Sequence, residues 1–352
     1  MKELSKITET FSESVIREMT RICDSVCGIN LSQGFPDFDS PKEIKEAAIA
    51  AINNNWNQYP VTFGESELRE AISKKAKTYN KIDCDPESEI TVTCGATEAM
   101  IATLKAIINP GDEIIVFEPF YENYGPDGIL SGATPKYVTL YPPDWNYIPD
   151  ELEKAFNDKT KAIIINTPNN PTGKVFSKSE LEYIANLCIK YDTYAITDEI
   201  YEHIIYDGCE HISLASIPGM RERTITINSI SKTYSVTGWR VGWAIADKKI
   251  AERIRKVHDF LYNLLNETGF SPYLPKGAYY IIAEIDQLVD KLKVENDFTF
   301  SRKLIELTKV ATVPGSSFYS DPNKGKNQVR FCFCKKMETL YAVKEAFEKV
   351  LI

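Results

Sequence analysis

The chain is poor in histidine: three in 352 residues, His203, His211 and His258, too dispersed to form a metal-ligand motif. It has no apolar run approaching the length that spans a bilayer. Its start, Met1 to Lys6, lacks the apolar centre of a signal peptide. No block of Lys and Arg stands out, and the formal net charge is -9, which argues against a nucleic-acid partner. No glycine-rich dinucleotide motif or P-loop occurs. Eight cysteines form only two close pairs, Cys23/Cys27 and Cys332/Cys334, and neither pair has zinc-finger partners. Free thiols in a reducing cytoplasm are therefore expected. What is present is an ordinary globular composition, 43% hydrophobic and 26% charged. The length suits one large domain plus a smaller one.

One stretch stands out, Ser229 to Gly242, after the apolar β-branched run Thr224–Asn228 that reads as a buried strand. Lys232 sits among small hydroxyl residues. A lysine held among dipoles at a strand end can lose its proton and attack a carbonyl, giving a Schiff base. Arg240 offers a two-pronged donor to a phosphate, and Ser229 or Ser231 can add hydroxyls. An aldehyde carbon and a phosphate held by one segment suggest pyridoxal phosphate (PLP).

Other segments answer this one. Glu89–Thr93 reads as a strand, followed by Gly95-Ala96-Thr97 and a helix from Glu98 to Ile108. A strand, a small-residue turn and a helix N-terminus make an anion site, because free backbone N–H groups and the helix dipole point at the ligand. Asp198 closes the strand expected over Tyr194–Thr197; a carboxylate there could keep a pyridine nitrogen protonated, the electron sink PLP chemistry needs. Its neighbour Glu199 reads as solvated or structural. Strands and helices alternate from Glu89 to Ala246, which predicts an α/β domain with a largely parallel sheet. Gly95, Tyr121, Asn170, Asp198 and Ser229–Lys232 all fall at expected carboxyl ends of strands, where such sheets bind ligands. Further expected helices include Pro41–Ile52, capped by Ser40, and Glu67–Tyr79. Pro275–Tyr280, Val310–Val313, Gln328–Cys334 and a closing helix from Thr339 to Leu351 predict a second, smaller α/β unit.

Ser-Lys-Thr-Tyr-Ser-Val-Thr-Gly-Trp-Arg (residues 231–240) resembles the cofactor-lysine signature of class I/II aminotransferases, PLP enzymes of fold type I. Asn-Thr-Pro-Asn-Asn-Pro-Thr-Gly (166–173) is a second signature of that family. The resemblance implies a large domain with a mostly parallel sheet flanked by helices and a smaller α/β domain. Residues 1–40 would form an N-terminal flap segment of the small domain, 41–255 the PLP-binding domain and 256–352 the rest of the small domain. It implies that Lys232 carries the cofactor and that Gly95, Ala96, Thr97, Ser229 and Arg240 bind its phosphate. Tyr59 would reach the phosphate of a neighbouring subunit, hence a homodimer. Tyr121 would stack on the ring, Asn170 and Tyr201 would meet its phenolic oxygen, and Asp198 its nitrogen. Gly34, Asn170 and Arg330 would face the substrate, with the guanidinium fork of Arg330 on the α-carboxylate. Lys232, Asp198 and Tyr201 would be the catalytic set. The substrates would be an L-amino acid and a 2-oxo acid, in the manner of kynurenine-, methionine- and aromatic-type members.

The chain departs from the family in one place. Lys256-Val257-His258-Asp259-Phe260 reaches Gly269-Phe270-Ser271-Pro272 almost at once, so several tens of expected residues are absent. Two alternatives stand beside the transaminase: a PLP-dependent carbon–sulfur β-lyase, and a degenerate PLP-binding protein without activity.

Overall fold

The computed structural model describes residues 15–27, 30–32, 34, 36, 38–56, 61–267, 271–272, 280–318, 326–332 and 337–351. The chain divides into two compact units: Met1–Trp56 with Phe63–Ile254, and Asn57–Thr62 with Arg255–Ile352.

The first unit is built on a seven-stranded sheet. Its strands are β1 (Ile90–Thr93), β2 (Glu113–Glu118), β3 (Thr134–Thr139), β4 (Thr160–Asn166), β5 (Tyr194–Asp198), β6 (Thr224–Ser229) and β7 (Gly242–Ile245). They lie in the order β1-β7-β6-β5-β4-β2-β3. Only β7 runs against its neighbours β1 and β6; every other pairing is parallel. A parallel sheet needs crossovers, which cover both faces, so its inner strands become continuous apolar runs. Ile114, Ile115 and Val116 are accordingly all buried in β2, as are Ala162 to Asn166 in β4. The edge strand β3 instead carries Pro135 and Lys136, which suit a strand with one free side. The helix Lys178–Lys190 starts as its sequence dictates, with a capping box between Ser177 and Glu180.

Two local expectations change. Pro41, not Ser40, precedes the helix Lys42–Asn53, and no side chain caps it. Proline's fixed φ and missing N–H suit that entry. The helix after β1 begins at Gly95, so Gly95, Ala96 and Thr97 form its first turn. Lys232 lies in a single helical turn, Ile230–Thr233, capped by the Ser229 hydroxyl, which accepts from the Ser231 N–H at 3.3 Å.

The second unit holds a four-stranded antiparallel sheet of β8 (Ser271–Pro272), β9 (Tyr280–Glu284), β10 (Val313–Pro314) and β11 (Gln328–Cys332), in the order β10-β11-β9-β8. Val329 and Phe331 alternate into a core with Ala283, Phe300, Leu304 and Phe347. Among the described residues, no helix is long and apolar enough to cross a membrane.

Candidate active site

Strand register brings the candidate residues of the first unit to one end of the sheet. Gly242 pairs with both Thr93 and Ser229, while Asp198 pairs with Asn166 on one side and Ile227 on the other. The turns leaving β1, β4, β5 and β6 therefore open on the same edge, the edge at which open parallel sheets bind ligands.

The anion end of this site is made of backbone and one guanidinium. Gly95 has φ +78°, and a Cβ there would run into the Arg240 guanidinium. A Cβ on Gly242 would strike the backbone of Gly95 and Ala96. Two glycines thus allow a strand, a helix N-terminus and an arginine to close on one point. No side chain caps the helix Gly95–Ile107, whose first-turn N–H groups have no intrahelical acceptors. Glu98 accepts instead from the Cys94 N–H, just before the helix. Arg240 is exposed, in the left-handed region at φ +56°, and its Nη1 donates to the Thr237 carbonyl at 3.1 Å. Ser229 is buried beside this turn.

The other end is deeply buried and holds a carboxylate. Burial raises the Asp198 pKa to about 6, with hydrogen bonds from Tyr124 and from the Ile200 N–H opposing the rise. Glu199 adds to it and Lys232 works against it. The Asp198 carbonyl accepts from Asn166 Nδ2 at 2.9 Å and from the Thr167 N–H at 3.2 Å. Tyr201 is pushed up to about 12, by burial first and then by Asp198 and Tyr121, so its phenol stays a donor at neutral pH.

Lys232 lies between these ends. Burial first and the Arg240 charge second lower its pKa, while Asp198 pulls the other way. Its Nζ donates to the Gly34 carbonyl at 2.5 Å and lies 5.8 Å from the centroid of the Tyr201 ring. Ser235 Oγ donates to the Phe38 carbonyl at 2.9 Å, a second tie between this segment and the N-terminal stretch.

The structure therefore gathers Gly34, Gly95, Ala96, Asp198, Tyr201, Ser229, Lys232 and Arg240 around one sheet edge. Thr97 is exposed on the same first turn. Tyr121 joins through Tyr124, ring to ring at 5.7 Å, edge to face. Asn170 is half-buried, and its N–H donates to Asn166 Oδ1 at 2.6 Å. Tyr59 and the side chain of Arg330 lie outside the described residues; the Arg330 backbone pairs within β11. Sequence reasoning missed Tyr124 and Asn166. A buried amide at the end of the apolar strand β4 was a readable signal for Asn166; Tyr124, three residues past Tyr121, left none.

Glu199 is not solvated. It is wholly buried and accepts from Thr197 Oγ1, Ser213 Oγ and Asn80 Nδ2, with His211 Nε2 at 3.0 Å. Glu199, Glu202 and His211, close together in sequence, bring potential ligand atoms within 4.8 Å of one another. The Lys75 ammonium already meets Glu202 there, so the cluster carries its own cation.

The family described as "Aminotransferase class I and II" matches residues 27–259 and 248–346. The chain belongs to this family. It is 36% identical to kynurenine–oxoglutarate transaminase 3 of Rattus norvegicus, over 97% of this chain and 89% of that protein. It is also 36% identical to the aspartate aminotransferase of Pyrococcus abyssi, over 95% of each. The structure of an aspartate aminotransferase from Thermus thermophilus with maleate superposes with a TM-score of 0.70 at 28% identity, covering all of both chains. The fold is fold type I, and the protein is a PLP-dependent aminotransferase that passes an amino group to a 2-oxo acid. The departure noted in the sequence is visible in the alignment. With the rat protein it runs over 406 positions, yet 97% of 352 residues is about 341, leaving about 65 positions without a residue here. The two matched segments of the family meet at 248–259, where the sequence departs.

Proposed function

We propose that this aminotransferase works through Lys232, with an aromatic or kynurenine-like L-amino acid as donor and 2-oxoglutarate as acceptor. The observation that carries the residue assignment is the double close approach at Gly95 and Gly242, which places Arg240 and an uncapped helix N-terminus beside Lys232. The names of the kynurenine–oxoglutarate transaminases support the substrate choice. When bound, PLP supplies a ring that takes up the electrons left at the substrate's α-carbon. The N–H groups of Gly95 to Thr97, Ser229 and Arg240 would hold its phosphate. Tyr121 would lie on the ring, and Asn170 and Tyr201 would donate to its phenolic oxygen. Asp198 would hold the proton on its nitrogen. Lys232, its proton affinity lowered by burial, is suited to take the substrate's Cα proton and give it back.

We also place the chain in a homodimer and in the cytoplasm. The exposed apolar side chains of Phe38, Ile49, Ile52 and Trp56 support the first. The six described cysteines, all free thiols, suit the second.

Incubation with L-kynurenine and 2-oxoglutarate should yield glutamate, and borohydride reduction followed by peptide mapping should find the cofactor on Lys232. An adduct on another lysine, with none on Lys232, would overturn the assignment. Glutamate formed from aspartate but not from kynurenine would overturn the donor class.

A further inference from the structure

Asp198 is one of the groups the proposed chemistry depends on, and its surroundings show one partner with no assigned part. Tyr124 opens the helix Tyr124–Ser131 and is buried, 3% exposed, while Asp198 is 6% exposed. Its Oη donates to Asp198 Oδ2 at 2.7 Å. Burial, and then the Asp198 charge, raise the Tyr124 pKa well above the ordinary 10, so the phenol keeps its proton and the bond has one direction. The other oxygen, Oδ1, has a long contact with the Ile200 N–H at 3.4 Å. The Asp198 backbone is fixed by Asn166 and Thr167, which leaves the rotation of the carboxylate for its side-chain partner to set. Tyr124 also donates its N–H to the Tyr121 carbonyl at 3.1 Å and sets its ring edge-on to Tyr121. One residue thus ties the carboxylate to the aromatic wall.

We propose that Tyr124 is a positioning residue for Asp198: its phenol O–H holds Oδ2, keeps the carboxylate ionised and turns Oδ1 toward the ring nitrogen of the cofactor. This rests on the reading that Asp198 faces that nitrogen. The charged and titratable groups around Asp198 are Tyr124 from its helix, Glu199 next to it in the chain, Tyr201 beyond, and Lys232 from the turn after β6. Glu199 favours the protonated acid and Lys232 the anion, so a neutral donor tips the balance toward the anion.

The test is carboxyl 13C NMR of the full chain, freed of cofactor and labelled at aspartate, with Asp198 assigned by its loss in Asp198→Asn. In wild type the Asp198 resonance should titrate near pH 6. Tyr124→Phe should move that midpoint up by about one unit or more, since a hydrogen bond to a charged group is lost. Where Tyr124→Phe folds poorly, 3-fluorotyrosine at position 124 serves; a more acidic phenol is a stronger donor, and the midpoint should fall. A midpoint that moves in neither variant overturns the proposal. With cofactor bound, Tyr124→Phe should lower kcat about tenfold at pH 8 with little change in KM, and more toward lower pH, where a carboxylate without its donor takes up a proton more readily. A loss of kcat independent of pH would mark a merely structural role and overturn the proposal. An Asp198→Asn enzyme as fast as wild type would instead overturn the reading of Asp198 on which the proposal rests.

Discussion

The carboxyl ends of β4, β5 and β6 and the helix Lys42–Asn53 meet opposite fates. At the strand ends, Asn166, Thr167, Asp198, Glu199 and Ser229 are buried, and each takes part in hydrogen bonds inside the protein. The helix Lys42–Asn53 has no buried residue; Ile49 and Ile52 are 58% and 66% exposed, with Trp56 just beyond at 63%. The first region is fixed by strand register, where a slip of one residue would turn every side chain to the other face. The second is fixed by helical periodicity alone, which settles a helix but not what covers its apolar side. The geometry of the candidate site comes from the first kind of constraint. The second kind leaves a surface whose meaning depends on a partner.

The largest break in that contrast should come at Lys232. Lys232→Ala should cut transamination by roughly a thousandfold or more if, as proposed, it is covalent anchor and proton carrier together. The thermal midpoint should barely move, because its Nζ is tied to a surface stretch at Gly34. A variant keeping a tenth of wild-type turnover would show that another group does the chemistry.

Gly242→Ala tests whether the strand ends are as closely set as register implies. Its methyl must push apart β7 and the Gly95–Ala96 turn, at a cost of about 1–3 kcal/mol. Chemical denaturation should show that loss, together with weaker PLP retention. Unchanged stability and retention would mean that the approach is loose.

Asp127 is an exception within the ordered region. It lies one turn from Tyr124, and its buried Oδ2 has no hydrogen-bond partner. Burial raises its pKa to about 7, against the field of Lys105. The folded chain then holds a proton that the unfolded chain releases near pH 4, so this group makes stability fall as pH rises from about 4 to 7. Asp127→Asn removes that slope. Relative to wild type it should gain roughly 1–3 kcal/mol between pH 5 and pH 8. An equal difference at both pH values would contradict the raised pKa.

The smallest effect on the fold should come from Ile49→Ser with Ile52→Ser. Exposed positions tolerate such changes within about 0.5 kcal/mol in a single chain. If that face joins two copies, sedimentation of the double variant should shift toward the mass of one chain. A variant that sediments as wild type would remove this face from the dimer contact.

Much of the candidate site's placement was legible because its signals are local. A lysine between hydroxyls with an arginine eight residues on, a small-residue turn before a helix and a carboxylate closing a strand can each be read from a few neighbours. The alternation of apolar runs and helical patterns likewise gave the parallel sheet. Tyr124 was illegible because its significance lies in Asp198, 74 residues away in sequence, and a tyrosine at a helix start looks like packing. Glu199 was open for a related reason: an Asp-Glu pair suggests solvent until Asn80, Ser213 and His211 converge on it. The antiparallel insertion of β7 between β1 and β6 could not be seen either, since periodicity carries no strand direction.

That insertion also bears on how the protein comes into being. β1 sits at the edge of the sheet, and its strand partner is β7. About 150 residues of chain separate the two, a long loop whose closure is entropically costly. During synthesis, Gly95 and its helix therefore emerge well before the strand that will hold them against Arg240. A nascent chain ending before Gly242 has Lys232 but no closed anion cradle. Cofactor capture should accordingly be a late event, following the arrival of β7, and PLP added to arrested chains of increasing length should be retained only once that strand has left the ribosome.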